Sequence, residues 1–192
     1  MTNPSQCVMD FLLTRRSGPY KTLTTPAPTR EQLSPLLTAA ARVPDHGKLE
    51  PWRFIILTGA ALPRLAALAS ERGAALAIDP DKIDKAAATF LNAPLIIAVI
   101  ASPKPSDKIP EIEQLYSAGA TCLSLLNAAL AAGWGANWLS GWPSNDRAFL
   151  TKGLNLALHE TVAGFIHIGT GTSTPPERPR PDINAITEWA ST

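Results

Sequence analysis

Cysteine is nearly absent from this sequence of 192 residues, which contains only 2 of them. Cys7 and Cys122 stand far apart, without the short spacing that a cysteine-based metal site requires. Proteins that depend on disulfides or on zinc–thiolate sites are richer in cysteine. We therefore expect a reduced, cytoplasmic setting in which both cysteines serve as buried apolar residues.

Charge is also scarce. Charged residues make up 17% of the chain, and the formal net charge is +1. Binding to nucleic acids or to anionic membrane surfaces needs a dense basic face, so the composition argues against both functions. With 45% hydrophobic residues and so few charges, much of the surface must be uncharged or covered, which favours an oligomer.

Several recognisable segments are missing as well. No uninterrupted apolar stretch reaches the roughly 20 residues of a membrane-spanning helix, and residues 1–7 lack the basic and apolar regions of a signal peptide. No Gly-x-Gly-x-x-Gly follows the first predicted strand, which argues against a dinucleotide-binding domain. The glycine-rich run 169–173 leads into prolines rather than into a helix, so it does not predict a phosphate loop. No serine lies in a nucleophile elbow.

Hydrophobic periodicity predicts helices and strands in alternation. The predicted helices cover residues 5–14, 29–43, 60–77, 81–91 and 111–132, and a short one begins at Ser144. The predicted strands cover residues 52–57, 95–100, 134–139 and 162–168. The run 95–100 is continuously apolar, which predicts a central strand buried on both faces.

Strands separated by helices predict an α+β fold in α/β/α layers, with a central mixed sheet flanked by helices. We expect a single domain over residues 1–192, because the sequence contains no internal repeat and no linker. The proline-rich residues 175–181 cannot pair in the centre of a sheet, so they predict an extended C-terminal tail. Residues 183–189 are expected to dock as a final short strand or turn.

Arg15, Arg16 and Ser17 end the first predicted helix, and two interpretations are open for them. Basic residues at a helix C-terminus stabilise the negative end of the helix dipole without any ligand. The same three residues could instead bind a phosphate, because guanidinium offers a rigid fork of donors to phosphate oxygens and serine adds a hydroxyl.

A second polar group lies in residues 44–51, a short loop bounded by two prolines. Its charged and titratable members are Asp45, His46, Lys48 and Glu50. Three interpretations are open: ordinary solvated loop charges, a ligand site, or a metal site formed by Asp45, His46 and Glu50.

The ordered set of motifs resembles the nitroreductase family, and more narrowly its short, single-domain branch. The resemblance covers nearly the whole chain and is carried by Arg15-Arg16-Ser17, Ala41 to His46, Pro51-Trp52, Ser117 to Gly119, Gly133 to Gly141 and Val162 to Gly169.

This resemblance implies an FMN-dependent oxidoreductase that works as a homodimer, with the flavin in the dimer interface and contacts from both subunits. NADH or NADPH would reduce the flavin, and a nitroaromatic, quinone or similar small acceptor would then reoxidise it at the same face, in a ping-pong sequence. Because hydride enters and leaves at the flavin itself, we expect no catalytic acid, base or nucleophile from the protein, and no metal.

The resemblance also implies a set of cofactor-binding residues. Those expected from one subunit are Arg15, Arg16, Ser17, Arg42 and His46, and those expected from its partner are Trp138, Leu139 and Ser140. In the tail, Arg180 is expected to touch the flavin phosphate together with Arg178.

Three positions depart from the family pattern. Pro19 replaces a basic residue after the motif serine, Glu50 replaces an amide before Pro-Trp, and Leu139 replaces a basic residue of the short branch. These departures bear on the redox potential and on the acceptor. They motivate an alternative function, a flavin-binding carrier or sensor without catalysis. A metal-dependent hydrolase that uses Asp45, His46 and Glu50 is a third hypothesis.

Overall fold

The computed structural model describes residues 3–191. Over these residues the helices are α1 (Gln6–Thr14), α2 (Arg30–Ala40), α3 (Ala61–Ala75), α4 (Pro80–Leu91), α5 (Glu111–Ala131) and α6 (Arg147–Leu154). The strands are β1 (Leu23–Thr24), β2 (Trp52–Leu57), β3 (Leu95–Ala101), β4 (Gly135–Leu139) and β5 (Thr161–Gly171). Short 3-10 turns lie at Tyr20–Thr22, His46–Lys48, Trp142–Ser144 and Asn184–Ile186.

Local capping decides where two of the helices begin. The side chains and backbone N–H groups of Thr29 and Gln32 pair reciprocally, so Thr29 caps α2 as predicted. The prediction that Ser144 starts a helix was wrong. Ser144 ends a 3-10 turn, and the Asp146 carboxylate caps α6 by accepting from the Phe149 N–H at 3.0 Å.

The sheet has the order β1-β5-β3-β2, and β4 also pairs with β5. The predicted layered α+β class is confirmed. The sheet differs from the predicted mixed one, because every pairing among the described residues is antiparallel. Two helices, α3 and α4, connect β2 to β3. The chain reverses direction once more than it would with a single helix, so β3 enters the sheet antiparallel to β2. A single crossover helix would have made the two strands parallel.

All seven residues of β3 are buried, as predicted for a central strand. Ile96, Ala98 and Ile100 face a core formed with α3, α4 and α6, which supply Leu65, Phe90 and Phe149. The alternate residues of β3 face a second core formed with α2 and α5. The strand therefore separates two apolar layers, which is the α/β/α arrangement.

The last strand is longer than predicted. β5 continues through Gly169 to Gly171, so the run that superficially suggested a phosphate loop is part of the sheet. A side chain at Gly169 would collide with Pro94 and with the backbone oxygen of Thr24 on the neighbouring strand. Close strand packing therefore accounts for this glycine.

The termini expose apolar side chains. No residue of α1 is buried, and Cys7 is exposed, so the predicted burial of both cysteines holds only for Cys122. In the tail, residues 183–189 form a turn but do not dock on their own subunit, since Trp189 is 88% exposed. These surfaces are available for contact with another chain.

An ion pair between the half-exposed Arg53 and the buried Glu160 fastens β2 to the start of β5. Arg53 donates from Nε and Nη2 to the two carboxylate oxygens of Glu160, each at 2.7 Å, and the Ala157 N–H donates to the same carboxylate at 3.0 Å. The Arg53 guanidinium holds the pKa of Glu160 at about 2, well below its ordinary value.

Glu160→Gln is therefore expected to lower the free energy of unfolding by about 2 kcal/mol at pH 7, an estimate that allows for the partial exposure of Arg53. Because the pKa is depressed in the folded state, the contribution is full above pH 4.5 and is lost as the pH falls towards 2. Urea unfolding of the wild type and of Glu160→Gln between pH 7 and pH 3 would measure the difference in their free energies of unfolding, which should narrow as the pH falls. Glu71→Gln is the control, because the exposed Glu71–Lys152 pair should contribute little. Equal losses of stability in Glu160→Gln and Glu71→Gln would contradict the stabilising role assigned to the Arg53–Glu160 pair.

Candidate functional site

The arginine–serine motif lies at one end of a cleft of about 720 Å³, which we call the arginine cleft. Arg15 leaves the helical conformation at the end of α1, while its N–H still donates to the Phe11 oxygen. The rest of the cleft is formed by α5, β4 and the tail, through Leu123, Leu126, Asn137, Trp138, Leu139, Pro175, Pro176, Arg178 and Arg180.

Two arginines that line the arginine cleft already bind a carboxylate of the chain itself, that of the exposed Glu177. One carboxylate oxygen of Glu177 lies 2.9 Å from Arg16 Nη1 and 2.9 Å from Arg180 Nη2. The Arg178 N–H, followed by these two guanidinium groups, keeps the pKa of Glu177 below its ordinary value. This end of the cleft is therefore chemically suited to an anionic group with several oxygens.

Arg15 retains unused donor capacity in the same cleft. Its Nη2 contacts Ser17 Oγ at 3.5 Å, but its Nε is buried without a hydrogen-bond partner among residues 3–191. A buried, unpaired guanidinium N–H is unfavourable unless it meets an acceptor. A phosphate in the cleft would supply one.

The end of β4 lies in the same cleft as the motif and in the same subunit. The Asn137 side chain donates to the Gly18 oxygen, which fastens the segment after the motif to β4. The indole of Trp138 lies over Gly164 of β5, where any side chain would collide with it. Trp138 and Leu139 therefore adjoin Arg15 within one chain, whereas the resemblance assigned them to the partner subunit.

Arg42 and His46 do not reach the arginine cleft of their own subunit. His46 Nδ1 pairs with Glu113 at 2.7 Å, and the Pro44 oxygen accepts from Ser117 Oγ at 2.7 Å. These contacts hold the loop beside the first two turns of α5, whereas Leu123 and Leu126 of the cleft lie about 9 to 20 Å further along the helix. Within one subunit, therefore, Arg42 and His46 are not among the residues that line the cleft with Arg15.

Hydrogen bonds within the same loop account for the position of Asp45. The Asp45 carboxylate accepts from the Leu49 and Glu50 N–H groups at 3.1 and 2.8 Å, and it thereby closes the loop on itself. Over residues 3–191, no three His, Cys, Asp or Glu side chains gather as a metal site would require. Asp45, His46 and Glu50 therefore do not form the metal site of the hydrolase hypothesis.

The two remaining departures, Pro19 and Leu139, both line the arginine cleft. Pro19 lines the arginine cleft, where it offers no charge. Ser140 lies outside that cleft, in an adjoining pocket that shares Leu139 with it. Sequence reasoning missed Leu123, Leu126, Asn137 and Glu177. Only Glu177 had a visible signal, as a lone acid within a basic tail.

Comparison with known proteins decides the family. The nitroreductase family profile matches residues 12–170. The chain belongs to the nitroreductase family. Its membership confirms the resemblance stated from the sequence and makes the protein an oxidoreductase. Over residues 3–191, moreover, the protein has no helix that combines the length and the apolar character needed to span a bilayer.

Individual relatives agree with this assignment. An Escherichia coli K12 protein provisionally named NAD(P)H nitroreductase YdjA is 35% identical over 162 residues, which are 84% of this chain and 87% of that protein. A nitroreductase-like protein from Bacillus cereus superposes with a TM-score of 0.81 at 23% identity, over 100% and 99% of the two chains. A provisionally assigned nitroreductase from Desulfovibrio desulfuricans, solved in complex with FMN, gives 0.72 at 23% identity, over 99% of each chain.

Proposed function

We propose that this nitroreductase-family protein is a cytoplasmic, homodimeric FMN enzyme. It uses NADH or NADPH to reduce a nitroaromatic, quinone or similar small acceptor, and donor and acceptor use the flavin in turn. Family membership and the FMN complex of a structural relative support the cofactor. The observation that carries the proposal is the arginine cleft, in which two guanidinium groups hold a carboxylate and a third has a buried, unpaired N–H.

The residues of the cleft fit FMN. Arg15, Arg16, Ser17 and Arg180 would hold the phosphate, since charge-assisted bonds from guanidinium are strong and geometrically selective. Trp138, Leu139 and Ser140 would wall the ring at the end of β4. Bound FMN supplies the group that accepts and donates hydride. The chain's own residues bind and orient it, and none is assigned as acid, base or nucleophile.

The dimer is proposed from the exposed apolar side chains of α5. Ile112, Tyr116 and Leu123 are 50%, 69% and 44% exposed, and their spacing places them on one face of the helix. We call this set the α5 stripe. The exposed side chains of α1 and of the tail extend the apolar surface: Val8, Met9, Leu12, Leu13, Ile183, Ile186 and Trp189. A second copy of the chain is the simplest partner to bury this apolar surface, because most oligomers are symmetric homodimers.

A two-fold dimer also accounts for the residues that one chain keeps apart. If the α5 stripes of two copies meet about a two-fold axis perpendicular to α5, the helices run antiparallel. The N-terminal end of one α5, with its His46 loop, then lies beside the C-terminal end of the other, with its arginine cleft. In this arrangement Arg42 and His46 of the partner subunit complete the site that Arg15 begins.

Anaerobic addition of NADH or NADPH to the FMN-loaded protein tests the function. The enzyme hypothesis predicts rapid bleaching of the flavin absorbance, followed by recovery when a quinone is added. An unbleached flavin with both nucleotides would favour the carrier or sensor that Glu50 and Leu139 suggested. A protein that stays colourless after incubation with FMN would end both hypotheses.

Glu177→Gln is expected to strengthen FMN binding roughly two- to fivefold, because the internal carboxylate competes with the phosphate for Arg16 and Arg180. Titration of the apoprotein, followed by quenching of FMN fluorescence, gives the affinity. Glu188→Gln in the same tail is the matched control and should change nothing. Weaker binding by the Glu177 variant would instead mean that Glu177 orders the arginines for the ligand.

A further inference from the structure

A pocket of about 390 Å³ adjoins the arginine cleft and shares Leu139 with it. We call it the β4 pocket, because it opens where β4 ends. Its other walls come from α4, from the turn Trp142–Ser144, and from two residues of β5. The volume lies within the usual range of small-ligand sites, and the shared residue makes it the neighbour of any group bound in the arginine cleft.

The β4 pocket combines apolar walls with unpartnered polar groups. Phe90 and Phe165 supply flat apolar surface. Tyr20 Oη, Trp142 Nε1 and Ser144 Oγ are all buried and have no hydrogen-bond partner among residues 3–191. Buried polar side chains are nearly always paired, so three unpaired ones on a single cavity indicate a ligand that carries its own hydrogen-bonding edge.

The remaining titratable groups make the pocket neutral inside and positive at its rim. Burial lowers the pKa of His167 to about 4, so its imidazole is uncharged at neutral pH. Lys82 and Lys85 lie three positions apart on α4 and are exposed, and neither forms a salt bridge among the described residues. No Asp or Glu of residues 3–191 lines the pocket, so nothing in its wall offsets the two lysines.

We propose that the polar edge of the flavin ring enters the β4 pocket, where Tyr20, Trp142 and Ser144 hydrogen-bond it and the two lysines favour its reduced form. The proposal rests on the proposed function. Hydride from NAD(P)H brings two electrons and one proton, so the ring gains one negative charge as NAD(P)H becomes NAD(P)⁺. Nearby cations stabilise that charge.

The double variant Lys82→Gln/Lys85→Gln tests the electrostatic part. Its preference for reduced over oxidised FMN is expected to fall roughly tenfold, which lowers the midpoint potential by about 30 mV for a two-electron couple. Spectroelectrochemical titration of the FMN-loaded protein measures this. Lys108→Gln/Lys152→Gln removes the same charge elsewhere and is the matched control. Equal potentials in the two double variants would overturn the role of the lysines.

Ser144→Ala tests the hydrogen-bonding part without activity as the readout. Because Ser144 Oγ has no partner in the protein, its removal should leave the thermal stability of the apoprotein unchanged or raise it. The affinity for FMN should fall roughly three- to tenfold, since one hydrogen bond to the ligand is lost. Unchanged affinity, or a loss of apoprotein stability that matches the loss of affinity, would overturn this part.

The proposed function and this inference can fail separately. A wild-type protein that does not bind FMN contradicts the function itself. A protein that binds FMN, with Ser144→Ala and the lysine pair behaving as their controls, keeps the function and removes the β4 pocket from the flavin site.

Discussion

Tyr116→Asp is expected to yield a monomer that holds FMN weakly. Tyr116 is the most exposed member of the α5 stripe, and a two-fold interface would bury both copies of the new carboxylate. Burying unpaired charges costs several kcal/mol, so the dimer dissociation constant should rise roughly a thousandfold or more. Sedimentation at micromolar concentration would show the monomer, and flavin retention on a desalting column would show the loss of FMN.

The matched control for this prediction is Leu76→Asp. Leu76 is similarly exposed and follows α3, in the layer on the opposite side of the sheet from α5. This variant should remain a dimer and keep its flavin. A Tyr116→Asp protein that is still dimeric, or a monomer that binds FMN as tightly as the wild type, would contradict the interface proposed here.

Arg15→Ala is expected to weaken FMN binding about ten- to a hundredfold. Arg15 lines the arginine cleft with a buried, unpaired Nε, so an acceptor that satisfies it gains a charge-assisted bond. Such a bond contributes roughly 1.5–3 kcal/mol, which gives the stated range. Fluorescence titration of the apoprotein measures the affinity, and inorganic phosphate should compete with FMN in the wild type but less so in the variant.

Arg30→Ala is the control, because Arg30 starts α2 and lines no part of the arginine cleft. Its FMN affinity should equal that of the wild type. An Arg15→Ala affinity within about twofold of the wild type would mean that Arg15 only balances the end of the helix dipole.

The parts of the fold that depend on local chemistry were predictable from the sequence. The Thr29 cap and the apolar run of β3 carry their own signals, and the structure has both where they were expected. Strand direction depends on how many helices intervene and on how they pack, so the antiparallel sheet did not follow from the pattern. The start of α6 was missed because the sequence offers two capping residues two positions apart, Ser144 and Asp146. The structure uses the second of them.

The site was predictable in its residue types but not in its arrangement. The motif residues Arg15 to Ser17 and Trp138 lie in one cleft, although no sequence rule relates α1 to β4. The loop with His46 lies elsewhere because Glu113 and Ser117 hold it at the far end of α5, a contact between distant segments. Periodicity cannot show which of two subunits supplies a residue.

A mixed dimer of two inactive variants tests the central claim, a flavin site shared between subunits. Arg15→Ala and Arg42→Ala are each expected to lose tight FMN binding as homodimers. When the two are co-expressed with different tags and the heterodimer is isolated, one of its sites combines the intact Arg15 of one subunit with the intact Arg42 of the other. We predict one FMN per heterodimer, bound with wild-type affinity. A heterodimer without tightly bound FMN would contradict the shared site.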